Sequence, residues 1–258
     1  MVLAIDIGNT NIVLGLFENN ELKAKFRIQT SKLETIDGYG IRCYNLINYA
    51  GYKVEDIEGV VISSVVPELD YTFENLVAKF FKQKALFVIP GTKTGLKIKL
   101  ENPKQLGSDL IAAAVAGIEE YTVLLIMTDW GMALTLAEYT VPLIMIDLGT
   151  AITIAVINDK KEYLGGVIYP GINTAFASLT QAAAKLESAR MEKVDNVIGR
   201  DTVSSIQSGM LFGTASMLDG MIRMIKASYP NALVILSGGH GSLIKEYLEE
   251  KVILDDDV

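Results

Sequence analysis

Two short segments bring together residue types that handle phosphate. In Asp6-Ile-Gly8-Asn-Thr10, and again in Asp147-Leu-Gly149-Thr150, a carboxylate ends an apolar run, a glycine follows two residues on, and a hydroxyl comes soon after. Backbone N–H groups in a tight glycine turn converge on phosphate oxygens, and an adjacent carboxylate holds hydrated Mg²⁺. One Asp-x-Gly is common. Two in matching places, with the later cluster Ser237-Gly-Gly-His-Gly241, point to a nucleotide. Ser108-Asp109 is a third candidate. It precedes Ile111, Ala114, Val115 and Ile118, which share one helical face, so on local grounds the pair caps a helix. Thr202 reads locally as another N-cap, and Pro170-Gly171 and Gly238-Gly239 read as turns. The first segment reads as the turn of a hairpin between Val2–Ile5 and Ile12–Phe17, which does not exclude a site.

Other chemistries are excluded by composition and pattern. No G-x-x-x-x-G-K-[ST] occurs, and Gly238–Gly241 does not meet the dinucleotide fingerprint. The single histidine, His240, rules out two-histidine zinc sites, and the single cysteine, Cys43, rules out cysteine-rich metal clusters and an internal disulfide. A Ser-His-Asp hydrolase lacks its G-x-S-x-G elbow. A net charge of -8 argues against nucleic acid or an anionic membrane as the main partner. The apolar stretch Val123–Ile157 is interrupted by Asp129, Glu138 and Asp147 and reads as buried strands, not as a membrane span. Met1 leads straight into a strand without the parts of a signal peptide, so a cytoplasmic location is expected.

The elements that must position these residues alternate between the two periods. Strands at 2–6, 12–17 and 22–28 form a meander. A helix over 35–50 follows, with Ile41, Tyr44, Leu46, Ile47 and Tyr49 as its apolar positions. Then come a strand at 59–67, a helix at 69–81 and a strand at 85–89. A second half repeats this grammar with strands at 143–147, 151–157 and 163–168, a helix after Pro170-Gly171, a long helix at 202–227 and a strand at 234–236. The expectation is an α/β chain of two related half-domains, 1–118 and 119–258, around a shared nucleotide cleft.

The ordered motifs narrow this further. IDIGNTN at 5–11, ISSVVP at 62–67, PGTKTGLKI at 90–98, ENPKQLGSDL at 101–110, DLGTAIT at 147–153, GGVIYPGI at 165–172, IGRDTVSSIQSG at 198–209 and SGGHGSLI at 237–244 resemble, in order, those of type III pantothenate kinase. The resemblance implies two actin-like (ribonuclease H-like) half-domains. It also implies an ATP-dependent phosphotransferase that converts pantothenate to 4′-phosphopantothenate in the first step of coenzyme A synthesis, working as a homodimer with Mg²⁺ and a monovalent cation, K⁺ or NH₄⁺. On it, Asp6, Ile7, Gly8, Asn9, Thr10, Asn11, Ile12 and Val13 match the ATP phosphate loop, with Asp6 holding Mg²⁺ through water. Gly107, Ser108, Asp109 and Leu110 match the pantothenate motif, with Asp109 the proton acceptor. Asp147 matches the monovalent-cation ligand, Thr150 a nucleotide contact and Thr202 a pantothenate contact. Gly238 and Gly239 lie where backbone approaches the nucleotide.

The chain departs from that pattern in four places. Leu110 stands where arginine is common, which removes a cation able to clamp a carboxylate. Leu100 replaces an aromatic. The sequence ends at Asp255-Asp-Asp-Val258, where the family continues into a helix. Glu120–Ala137 and Glu138–Ala155 form a tandem repeat, identical at 12 of 18 positions, where the family has one segment. Only the second copy keeps the hydroxyl, Thr150 against Met132, so the second copy is expected to form the site and the first to be an insertion that packs as an extra strand or helix or competes with its near-copy for one slot in the sheet. A different class stays open beside the kinase: a catalytically impaired relative that binds nucleotide or pantothenate as a regulator.

Overall fold

The computed structural model describes residues 1–128, 141–182 and 191–255. The chain divides into two units, Met1–Lys93 with Asn102–Ala112, and Thr94–Glu101 with Ala113–Val258.

In the first unit, β1 (Val2–Ile7), β2 (Asn11–Glu18) and β3 (Glu21–Gln29) form the meander. They are followed by α1 (Ile36–Tyr49), β4 (Gly59–Ser64), α2 (Pro67–Leu76), a π-helical turn at Val77–Phe81 and β5 (Ala85–Phe87). The sheet order is β3-β2-β1-β4-β5, antiparallel through the meander and parallel from β1 to β5. Period two sorts the side chains of β1: Leu3, Ile5 and Ile7 enter the core and Asp6 falls on the other set, open to solvent. Thr35 caps α1 by accepting the Gly38 N–H at 3.1 Å. The buried face of α1 is Tyr39, Cys43 and Ile47, with the Tyr39 ring 5.0 Å from that of Phe73. Ile41, Tyr44 and Tyr49, expected as core positions, are exposed. That helix carries two apolar stripes, and the i, i+4, i+8 one faces the sheet. Pro67 starts α2 instead of ending a strand, because a missing N–H costs nothing at the first helical position. Burial pushes the Cys43 thiol up to about 12, so it is an inert core residue.

In the second unit, β7 (Leu143–Leu148), β8 (Ala151–Ile157) and β9 (Glu162–Pro170) form another meander, followed by α4 (Ile172–Ala182), α5 (Thr202–Lys226), β10 (Leu233–Ser237), α6 (Gly241–Lys245) and β11 (Ile253–Leu254). Its sheet runs β11-β10-β7-β8-β9, extended by β6 (Lys97–Ile98) alongside β9. Read from the other edge, β9-β8-β7-β10-β11 has the order and strand directions of β3-β2-β1-β4-β5. The echo between Asp6 and Asp147 is therefore an echo of topology. Ile144, Ile146 and Leu148 pack with Leu211, Leu218 and Ile222 of α5. On the other side of β7, Met145 lies against Gly117 of α3 (Ser108–Thr128), where an added Cβ would come within 2.8 Å of its sulfur.

The repeat splits between two conformations. The second copy supplies β7 and most of β8, while residues 120–128 of the first continue α3. Val123–Thr128 is thus helical backbone, the helix alternative for the first copy and not the buried strands read over Val123–Ile157. Asp129, Trp130 and Met132 lie outside the described residues. Tyr121 is buried, and its hydroxyl donates to Asp255 at 2.6 Å. Among the described residues no helix is long and apolar enough to cross a membrane.

Candidate functional site

The first unit gathers its chemistry at the carboxyl ends of two adjacent parallel strands, where open α/β sheets place ligands. Asp6 of β1 stands in register with Ser63 of β4. Protein crowds the Asp6 carboxylate while leaving it open to solvent on one side, and this loss of surrounding water raises its pKa above the usual 3.8. A hydrogen bond from Ser63 opposes the rise, and repulsion from Asp109 adds to it. Two carboxylates thus share one region and feel each other.

Asp109 owes its place to Ser108. The Ser108 hydroxyl accepts the Ser64 N–H at 2.8 Å and donates to the Ser64 carbonyl at 2.8 Å, clasping the start of α3 to the end of β4. Ser63 Oγ lies 3.3 Å from Ser108 Oγ, and both serines are buried. Ser64 in turn donates to Asp70 at 2.5 Å. Ser108 therefore joins a helix to a sheet instead of capping the helix, as its local sequence implies. Asp109 Oδ1 accepts the Leu110 N–H at 2.8 Å. Gly107 makes room for it: a Cβ there would stand 2.3 Å from Asp109 Oδ1.

Between β1 and β2 lies the turn Gly8-Asn9-Thr10, closed by a bond from the Gly8 N–H to the Asn11 carbonyl at 3.0 Å. A Cβ at Gly8 would come within 2.9 Å of that carbonyl oxygen. Asn9 and Thr10 are exposed, Gly8, Asn11 and Val13 are half-buried, and Ile7 and Ile12 anchor the turn in the core. Among the described residues no group of three or more His, Cys, Asp or Glu side chains gathers for a metal. A single carboxylate beside a glycine turn is the donor set of a cation that keeps its waters and leans on phosphate oxygens, which fits Mg²⁺ at Asp6.

The second unit builds its counterpart with the same parts. Asp147 of β7 is in register with Ser237 of β10. Two glycines frame the Asp147 carboxylate: a Cβ would meet Oδ2 at 2.9 Å from Gly149 and Oδ1 at 2.6 Å from Gly238. Gly238 has φ +94 and would also press on Leu148 N at 2.6 Å, so glycine is required there on both counts. Thr150 is exposed at the turn, and its carbonyl accepts from Gly171 N at 3.0 Å and Thr174 Oγ1 at 2.7 Å.

Thr202 is the first residue of α5, and the cap belongs to Asp201, which accepts the Ser204 N–H at 2.8 Å in a capping box. That bond holds the exposed Asp201 carboxyl below its usual range. Thr202 lines a groove of about 610 Å³ with Gly199, Arg200, Ser205, Ile206 and Gly209. The structure thus gathers Asp6, the 8–11 turn and 107–110 in one unit, and Asp147 with Gly238 and the Thr150 turn in the other, where Thr202 lines a groove of its own. Reading the sequence missed Ser63, Ser64 and Asp70 as site residues. The quoted ISSVVP carried the serines only as part of a strand, and the two hydroxyls at its carboxyl end were the available signal.

The model of the type III pantothenate kinase family matches residues 2–224. The chain belongs to that family. As a family member it is a kinase of the actin-like fold, for which ATP use, a small-molecule acceptor and Mg²⁺ are the family's chemistry. Solved structures agree on the fold. A Campylobacter jejuni protein assigned to the Baf family of transcriptional activators is 19% identical, with 98% of this chain and 90% of that one covered at a TM-score of 0.57. A Sinorhizobium meliloti protein assigned as a 2-dehydro-3-deoxygalactonokinase is 9% identical, with 99% and 91% covered at 0.55. Acetate kinase of Porphyromonas gingivalis is 10% identical, with 95% and 85% covered at 0.50. At these identities the likeness is one of fold.

Proposed function

We propose that this type III pantothenate kinase family member phosphorylates pantothenate from ATP to give 4′-phosphopantothenate, the first step of coenzyme A synthesis. The observation that carries the reading is the pairing of Asp109 with Asp6: a carboxylate fixed at the start of α3 by the Ser108 clasp, within electrostatic reach of a second one beside a glycine turn. Asp109 accepts a hydrogen bond from the pantothenate hydroxyl and aims its oxygen in line at the γ-phosphorus. As the new O–P bond forms, the bond to the ADP oxygen breaks, and the hydroxyl proton passes to Asp109 and on to solvent. The N–H groups of the 8–11 turn stabilise charge on the phosphates. Mg²⁺, when bound, neutralises phosphate charge, and Asp6 would hold it through water. Asp147 would hold the monovalent cation, K⁺ or NH₄⁺, and Thr150 would supply a nucleotide contact. Gly107, Ser108 and Leu110 are assigned as pantothenate contacts, Thr202 is assigned separately as another, and the working form is a homodimer.

Phosphorus NMR of a reaction holding protein, ATP, Mg²⁺, K⁺ and pantothenate tests this. A new phosphomonoester signal that requires pantothenate is expected. Nucleotide binding without that signal overturns the reading in favour of a regulator.

Asp6→Asn is expected to lower turnover with Mg·ATP by roughly 10²-fold, and to raise the melting temperature of the ligand-free protein. The sign follows from the raised pKa: the native state holds the Asp6 proton more tightly than the unfolded chain, so the group's contribution to stability declines as pH rises from 3.8 through the higher native value. Melting curves should show a larger gain from the substitution at pH 7 than at pH 4. Gly107→Ala is expected to displace the Asp109 carboxylate, since the conflict is with a side-chain tip and not with backbone. Turnover should fall by about tenfold or more with the melting temperature little changed, as steady-state kinetics beside thermal melts would read.

A further inference from the structure

One residue outside every motif holds the phosphate turn from behind. Thr30, half-buried just after β3, donates through Oγ1 to the Gly8 carbonyl at 2.7 Å and through its backbone N–H to the Thr10 carbonyl at 3.0 Å. A trans peptide is planar, with its C=O and N–H pointing in opposite directions. Pulling the Gly8 and Thr10 carbonyls toward Thr30 therefore turns the N–H groups of Asn9 and Asn11 away from it. The second unit repeats the device with different parts. There the Thr150 carbonyl takes a backbone N–H from Gly171, the residue after β9, and a hydroxyl from Thr174. Both turns that follow an Asp-x-Gly are thus held by carbonyl-directed donors arriving from beyond the third strand of the meander. A turn that only had to reverse the chain needs no such hold, because the Gly8 to Asn11 bond already closes it.

We propose that Thr30 is a positioning residue for nucleotide binding, fixing the peptide planes of the 8–11 turn so that the Asn9 and Asn11 N–H groups face a phosphate. This rests on the reading of that turn as the ATP phosphate loop. Without the hydroxyl, the Gly8–Asn9 peptide is free to rotate, and its N–H must be reoriented each time nucleotide binds.

Thr30→Val removes the hydroxyl at nearly constant shape and keeps the backbone bond to Thr10. Thr30→Ser keeps the hydroxyl and loses the methyl group. Calorimetric titration with Mg·ADP alone is expected to show affinity weakened by about tenfold in the valine variant and close to wild type in the serine variant. In kinetics, the KM for ATP should rise in Thr30→Val while that for pantothenate stays put. Wild-type affinity in Thr30→Val, equal weakening in both variants, or a common shift of both KM values overturns the proposal and leaves Thr30 a structural residue. Because the titration needs no acceptor, a protein that binds Mg·ADP and leaves pantothenate unphosphorylated refutes the functional reading and not this one. A wild-type protein that binds no nucleotide refutes both.

Discussion

Asp109→Asn is expected to lower turnover by roughly two orders of magnitude or more while Mg·ADP binding persists, since positioned acid–base groups contribute about 10²–10⁴. Asparagine keeps the size of the side chain, and its Oδ1 can still accept the Leu110 N–H, so the start of α3 stays as it is. What is lost is a group able to take the hydroxyl proton. The substitution also removes a like charge from Asp6, so nucleotide with its Mg²⁺ should bind at least as well as before. Parallel measurement of kcat and of Mg·ADP affinity separates the two effects. Unchanged turnover would remove Asp109 from the mechanism, and loss of both together would mean that the variant disturbs the turn and not the chemistry.

The second large effect concerns the repeat. Asp147→Asn is expected to abolish measurable turnover, a loss of roughly 10²-fold or more, while Asp129→Asn stays within about a factor of two of wild type, because its copy of the repeat lacks the hydroxyl that Thr150 supplies in the other. The reason lies in what surrounds Asp147. Gly149 and Gly238 both bring backbone against its carboxylate, Ser237 faces it across the parallel pair, and Thr150 follows in a turn held by Thr174. The first copy has Met132 at the position of Thr150, and its residues 120–128 belong to α3. Steady-state rates of the two variants at saturating K⁺ decide the matter. The opposite ranking would place the cation site in the first copy.

The repeat also marks where sequence reading meets its limit. Leu125-Ile-Met127 is helical and Leu143-Ile-Met145 is strand, with the same three side chains in the same order. The difference precedes them. Leu124 lets α3 continue, whereas Pro142 has no N–H for a helix, biases Val141 toward extended backbone, and accepts at its carbonyl the N–H of Leu233, the first residue of β10. The hairpins were legible because glycine turns between apolar alternations are local signals, and β1–β2 and β7–β8 form where those signals lie. Asp6 and Asp147 were legible as charges at the ends of buried runs. The buried face of α1 was not, since Ile41 and Tyr44 are as apolar as Tyr39 and Cys43 and only the neighbouring Phe73 decides between them. Nor were Ser63, Thr30 or Thr174. Their partners lie 22 to 45 positions away along the chain, and only tertiary packing brings them together.

ADP release from purified protein with ATP, Mg²⁺ and K⁺, measured with and without pantothenate, tests whether pantothenate is the phosphoryl acceptor. ADP formation is expected to rise and saturate with pantothenate and to fall to background in its absence and in Asp109→Asn. ADP release that is indifferent to pantothenate, or absent from a folded protein that binds Mg·ADP, would contradict it.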